Sequence, residues 1–192
     1  STTGEKGGAL KIRLELRSFA DIGLVGLPNA GKSTFLDAVS SAKPKIGDYP
    51  FTTIKPNLGT IKYFDKSFVF ADIPGLIEGA SQGTGLGIKF LKHISRTKAL
   101  LIFLDPHNSE YDFENQLKIL INEMRHFDSK LLQKDIWIVL NKIDTVDNLD
   151  ENLSIIDKYI PRELKINQIR GISSISKQGV KELFDEVFKK LT

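Results

Sequence analysis

The chain has 192 residues, 41% hydrophobic and 27% charged, enough for one full core and too few for a second. No apolar run reaches membrane-spanning length and no signal peptide is visible, which points to the cytoplasm and away from a membrane. The net charge of +3 permits contact with nucleic acid without predicting it, and the absence of cysteine excludes disulfides and thiolate metal sites.

The only methionine is Met124, so the sequence reads as a piece of something larger. Gly4, Gly7 and Gly8 suggest a linker. Leu10, Ile12, Leu14 and Leu16 then alternate with charged residues as a lead-in strand with one apolar face. Ile22 to Leu27 is an aliphatic run suited to a buried strand, and Lys32 to Val39 has the composition of a helix.

Between them runs Gly26-Leu27-Pro28-Asn29-Ala30-Gly31-Lys32-Ser33-Thr34, which matches the phosphate-binding pattern G-x-x-x-x-G-K-[ST] at the strand-to-helix turn that the pattern requires. Gly26 and Gly31 allow close backbone approach, so that consecutive N–H groups can face an anionic phosphate chain. Lys32 is then expected to reach the β- and γ-phosphates and Ser33 to hold Mg²⁺.

A long polar connection, Ser40 to Leu58, carries Phe51, Thr52 and Thr53, and a loop of that length in a compact domain is usually functional or disordered. Gly59 to Phe64 and Ser67 to Ala71 read as a hairpin joined around Asp65 and Lys66, ending in Asp72-Ile73-Pro74-Gly75. Asp72 thus falls at a strand's carboxyl end, where open α/β sheets bind ligands. Glu78 to Gly87 is glycine-rich, which predicts motion, and Leu86 to Thr97 reads as a helix.

Ala99 to Asp105 is a buried strand, and Tyr111 to Phe127 a helix whose Phe113, Leu117, Leu120, Ile121 and Met124 are core positions. Asp135 to Leu140 is a further strand, with Trp137 in the core, and it leads into Asn141-Lys142-Ile143-Asp144. A helix near Glu151 to Ile160, a strand near Gln168 to Ile172, the pair Ser173-Ser174 and a helix from Val180 to Lys190 complete the chain. The three histidines, His93, His107 and His126, have no ligand spacing. The alternation implies an α/β fold: a mainly parallel sheet of about six strands with helices on both faces.

Four polar segments at successive strand ends together supply what a guanine nucleotide and its metal need. With them the chain resembles the translation-factor class of P-loop GTPases. Asp48-Tyr49-Pro50-Phe51-Thr52-Thr53, Asp72 to Ala80 and Gly85-Leu86-Gly87 with Phe90-Leu91, His93-Ile94 and Arg96-Thr97 are similar to the Obg family, over a span from about Ile12 to the end. The resemblance implies a linker and lead-in strand at 1–17 from a missing N-terminal domain, then a monomeric GTP-binding domain at 18–192.

By that resemblance Thr53, rather than Thr52, meets Mg²⁺ and the γ-phosphate, while Asp72 holds Mg²⁺ through water and Gly75 presents its N–H to the γ-phosphate. Asp144 accepts from the two N–H donors of guanine that adenine lacks, Asn141 ties this segment to the phosphate loop, and the Lys142 stem lies over the purine. Ser173 and Ser174 align with the segment that meets the guanine oxygen, although alanine is usual at the second position; a helix N-cap is the structural alternative for the pair.

Leu76 replaces the glutamine that orients water in many such enzymes, which implies slow turnover unless a partner or a cation supplies the function. Asn29 could allow stimulation by K⁺ beside the phosphates, or simply make a structural hydrogen bond. The expected machinery is therefore Lys32, Thr53, Gly75 and Asn29, acting on GTP to release GDP. The implied partner is the large ribosomal subunit or its RNA, in assembly and stress response. An ATP-using P-loop enzyme and a nucleotide-stabilised docking module for ribosome or RNA are the alternatives.

Overall fold

The computed structural model describes residues 20–46, 57–72 and 97–192. The lead-in strand, the loop segment at 47–56, the glycine-rich stretch and the helix expected before Thr97 lie outside the described residues. Among the described residues seven strands form one sheet: β1 (Ile22–Gly26), β2 (Lys45–Ile46), β3 (Asn57–Tyr63), β4 (Lys66–Asp72), β5 (Ala99–Leu104), β6 (Asp135–Leu140) and β7 (Ile166–Gly171), in the spatial order β2-β3-β4-β1-β5-β6-β7. β1 pairs in parallel with β4 and β5, and β5, β6 and β7 continue in parallel, whereas β2, β3 and β4 are joined antiparallel. The described helices are α1 (Lys32–Val39), α2 (Phe113–Phe127), α3 (Leu149–Lys158) and α4 (Val180–Leu191), with 3-10 turns at Ser129–Gln133 and Ile143–Thr145.

The expected sheet of about six strands gains the two-residue β2, because Lys45–Ile46 pairs with Asn57 and Leu58 inside what reads in sequence as one long loop. The hairpin turn is Phe64-Asp65 rather than Asp65-Lys66: Phe64 takes φ 50°, and Lys66 pairs with Tyr63. α1 keeps the expected bounds, and the other described helices shift by one or two positions at one or both ends. Asp112 stops α2 by capping it, its carboxylate accepting from Asn115 N at 2.8 Å.

The period of two along the central strands sorts side chains to opposite faces. Ile102, Leu104, Ile136, Ile138 and Leu140 pack with Leu117, Leu120 and Met124 of α2 and Ile156 of α3. Leu101, Phe103, Trp137 and Val139 pack on the other face with Phe35 of α1 and Leu183, Val187 and Phe188 of α4. Both faces are therefore covered, which is why β1, β5 and β6 are apolar at nearly every position rather than alternating. After β1 the chain turns to one side of the sheet, and only with β5 does it appear on the other. The carboxyl end of β1 is thus the switch point where such sheets open a crevice.

Candidate functional site: a phosphate loop bridged to the end of β6

The loop from Gly26 to Thr34 leaves β1 at that switch point and enters α1. Gly26 lies so close to β5 that an added Cβ would sit 2.8 Å from the Phe103 carbonyl. Gly31 is the N-cap of α1 with φ 87°, and there a Cβ would stand 2.2 Å from Asn141 Nδ2. No side chain caps α1 and its first turn holds no acidic residue, so its N-terminal N–H groups keep their capacity for an anion. Leu27 O accepts from Ala30 N at 3.2 Å, which closes the turn, and Pro28 and Asn29 are exposed at its tip, Asn29 with φ 63°.

Lys32 curls back over this loop: Nζ donates to Gly26 O at 2.9 Å and Leu27 O at 3.1 Å. Burial holds its pKa below the ordinary lysine value, only partly opposed by the charge of Asp72. Those carbonyls orient the ammonium group across the mouth of the loop.

Beside it, Ser33 Oγ donates to Asp72 Oδ2 at 2.6 Å. Asp72 ends β4 only 3% exposed, and its second oxygen, Oδ1, has no hydrogen-bond partner among the described residues. A buried carboxylate oxygen left without a donor costs free energy that a cation would offset. A hydroxyl and a carboxylate are hard oxygen donors, and such a set suits Mg²⁺, which takes few protein ligands and completes its shell with water and phosphate. The residues present therefore fit the ion expected from the sequence.

Asn141 is the bridge between the halves of the site. It is buried at the end of β6, with Nδ2 donating to Ala30 O at 2.9 Å and Oδ1 accepting from Ser174 N at 3.1 Å and Ser174 Oγ at 2.8 Å. One side-chain amide thus joins the phosphate loop, the segment after β6 and the segment after β7. The serine at position 174 has a use that alanine lacks, its hydroxyl adding a second bond to Asn141. Neither serine caps the last helix, which corrects the N-cap alternative: Gly179 takes that place, and Ser173 Oγ accepts from Ser176 N within the intervening turn.

Lys142 adopts φ 63° and its Nζ donates to Asp105 Oδ2 at 2.6 Å, while Asp144 is exposed at the rim. Phe51, Thr52, Thr53, Ile73, Pro74 and Gly75 lie outside the described residues. Asp105 and Gln116 had not been singled out from the sequence. Their signals were an aspartate directly after the all-apolar β5, and a glutamine on the same helical face as Leu120, which core packing alone would make apolar. His107 is hydrogen-bonded to Thr145 and His126 to the Asn122 carbonyl, while His93 lies outside the described residues.

Comparison with known proteins agrees with this geometry. Residues 21–142 match the family described as 50S ribosome-binding GTPase. The GTPase Obg of Chlorobaculum tepidum is 47% identical over 190 residues, covering 98% of this chain and 54% of that protein, so the chain spans about half the length of this curated relative. Among solved structures, a GTP-binding protein of the archaeon Sulfolobus solfataricus in complex with GDP superposes with a TM-score of 0.71 at 21% identity, over 89% of this chain and 53% of that one. The G domain of the T. maritima FeoB iron transporter superposes at 0.66 with 18% identity, over 89% and 98% of the two chains. At those identities the likeness is one of fold. The match across most of the chain, together with a phosphate loop joined through Asn141 to the segment after β6, places this chain in the family of 50S ribosome-binding GTPases as an Obg-type G domain.

Proposed function

We propose that this domain binds GTP with Mg²⁺, hydrolyses it slowly to GDP and phosphate, and serves in the cytoplasm as a switch for assembly of the large ribosomal subunit and for stress response. The observation that carries the reading is the Asn141 bridge, which ties Ala30 of the phosphate loop to Ser174, so that phosphates and base are gripped by one rigid unit. Lys32 leaves the Gly26 and Leu27 carbonyls to meet the β- and γ-phosphates, and the N–H groups of Gly31 to Thr34 line the phosphate chain. Ser33 and Thr53 would hold the metal through their hydroxyls and Asp72 through water. When bound, Mg²⁺ neutralises charge that develops on the phosphate oxygens.

Gly75 N–H and Thr53 read the γ-phosphate, so its loss on hydrolysis releases the Ser40 to Leu58 connection and the loop that follows Asp72 together. Phe51, Thr52, Ile73 and Pro74 flank those contacts. Asp144 selects guanine, since adenine would leave its carboxylate desolvated and unpaired. With Leu76 unable to orient water, Asn29 beside the phosphates favours stimulation by K⁺. The ribosomal role rests on the description of the matching family.

The deciding experiment titrates the purified chain with GDP, GTP and ATP, with and without Mg²⁺, and follows phosphate release in KCl and in NaCl. Tight Mg²⁺-dependent binding of guanine nucleotides and slow phosphate release are expected. Preference for ATP would overturn the reading, and equal rates in the two salts would remove the K⁺ assignment alone.

A further inference from the structure

The loop from Asp105 to Asp112 grips the base-reading segment at two points, and each grip is anchored from behind. Gln116 of α2 is buried at 1% exposure; its Oε1 accepts from Asp105 N at 3.0 Å and its Nε2 donates to Asp105 O and Tyr111 O, both at 2.9 Å. One carboxamide therefore fixes both backbone groups of Asp105 and the far end of the loop. Each oxygen of the Asp105 carboxylate has a partner, Oδ1 accepting from His107 N at 2.9 Å and Oδ2 from Lys142 Nζ at 2.6 Å.

The second grip is His107 Nε2 to Thr145 Oγ1 at 2.6 Å. The Thr145 hydroxyl donates its single proton to Lys142 O at 2.6 Å, so it must accept from the imidazole, which makes His107 the Nε2–H donor. Both grips close on a segment that needs holding. Lys142 sits at φ 63°, a backbone region unfavourable to a non-glycine residue, and its long side chain loses rotamer entropy when it is held in one place.

We propose that Asp105, braced by Gln116 and assisted by His107, is a positioning residue for guanine recognition. It touches no nucleotide. It acts through Lys142, holding that side chain extended along the site while the His107 contact keeps 142–145 in the backbone form that presents Asp144 at the rim. A carboxylate suits this task better than an amide because a charge-assisted bond to lysine is stronger, and in a half-buried pair it is less screened by solvent. The inference rests on the proposed binding of guanine nucleotides.

The test measures GDP affinity in the presence of Mg²⁺ for the wild-type chain, Asp105→Asn, Lys142→Met and the double variant, with steady-state GTP hydrolysis alongside. Asp105→Asn keeps an acceptor for His107 N but loses the ion pair. GDP affinity is expected to fall about tenfold, and the double variant to bind within twofold of Lys142→Met, as coupled groups do. KM for GTP should rise at least fivefold more than kcat falls, a split that general loosening of the fold would not give. Effects that multiply in the double variant, or an Asp105→Asn affinity within twofold of wild type, would overturn the proposal.

His107→Ala, at an exposed position, gives a second reading should Asp105→Asn unfold. It is expected to weaken GDP about threefold, and unchanged affinity would count against the proposal. If the wild-type chain fails to bind GDP, the functional reading falls. If it binds and the variants match it, only the positioning role falls.

Discussion

At the scale of single residues, the site is built on contacts too close to tolerate extra atoms. Gly31→Ala places a Cβ 2.2 Å from Asn141 Nδ2 and strains a backbone at φ 87°. We expect that variant to lose GDP binding at least a hundredfold by titration, because the Asn141 bridge and the loop cannot both keep their places. Ser174→Ala removes one of two bonds to Asn141 Oδ1 and leaves the backbone N–H, so urea denaturation should show a loss of about 1 kcal/mol or less. Asn141→Ala instead leaves Ala30 O and the Ser174 groups without their partner, and the same measurement should give about 2 kcal/mol or more.

Lys32 carries a pH signature. Its folded-state pKa is depressed by burial, so between that value and the unfolded lysine value of about 10.4 the unfolded chain binds more protons, and stability of the nucleotide-free protein rises with pH. At pH values below the depressed pKa the penalty is present in full. Denaturation from pH 8 to 10.5 should show this rise, and Lys32→Met should flatten it. The phosphate loop and Asp144 were legible as residue types at fixed spacing. The partners of Ser174 were not, since nothing in local sequence says that its hydroxyl meets an asparagine on another strand.

At the scale of elements, strand identity came from composition and face from periodicity. β5 and β6 read correctly because an unbroken apolar run between polar ends has few other uses. β2 did not, since two residues carry no period, and its pairing with β3 is a tertiary fact. The hairpin turn was displaced by one position because Phe64, a poor turn residue by composition, occupies the left-handed corner where Asp65 looked the better candidate.

α4 illustrates packing that outweighs propensity. Its Phe188 stacks on Phe68 at 4.3 Å between ring centroids and lies 4.6 Å from Tyr63, locking the last helix to the β3–β4 hairpin. Phe188→Ala should cost about 3–5 kcal/mol in chemical denaturation, among the largest single losses available in this fold. Its effect on nucleotide affinity should be small, because the contact lies away from the crevice at the end of β1.

At the scale of the whole molecule, the sheet gathers four chain segments, the ends of β1, β4, β6 and β7, at one rim, and a ligand that spans them should behave as an internal brace. Saturating GDP with Mg²⁺ at about a hundred times its dissociation constant should raise the unfolding free energy by roughly 2.7 kcal/mol, read as an upward shift in Tm that ATP at equal concentration does not give. The lack of such a shift with GDP would contradict the site as assembled here. The ordering of strands is also what makes the Asp72 carboxylate available to Ser33, residues separated by 39 positions in the chain.

What the amino-acid order determined unaided is everything carried by short spacing: the glycine-rich strand-to-helix turn, the apolar runs and the alternation of strand with helix. These depend on backbone periodicity and on a few residues whose chemistry admits one use. The tertiary structure alone decided which distant groups share a bond, placing Asn141 against Ala30 and Ser174, Asp72 against Ser33, and Lys142 against an aspartate braced by Gln116. Such pairings follow from strand order and register. Those are set by burial summed over the whole core, and no local segment records that sum.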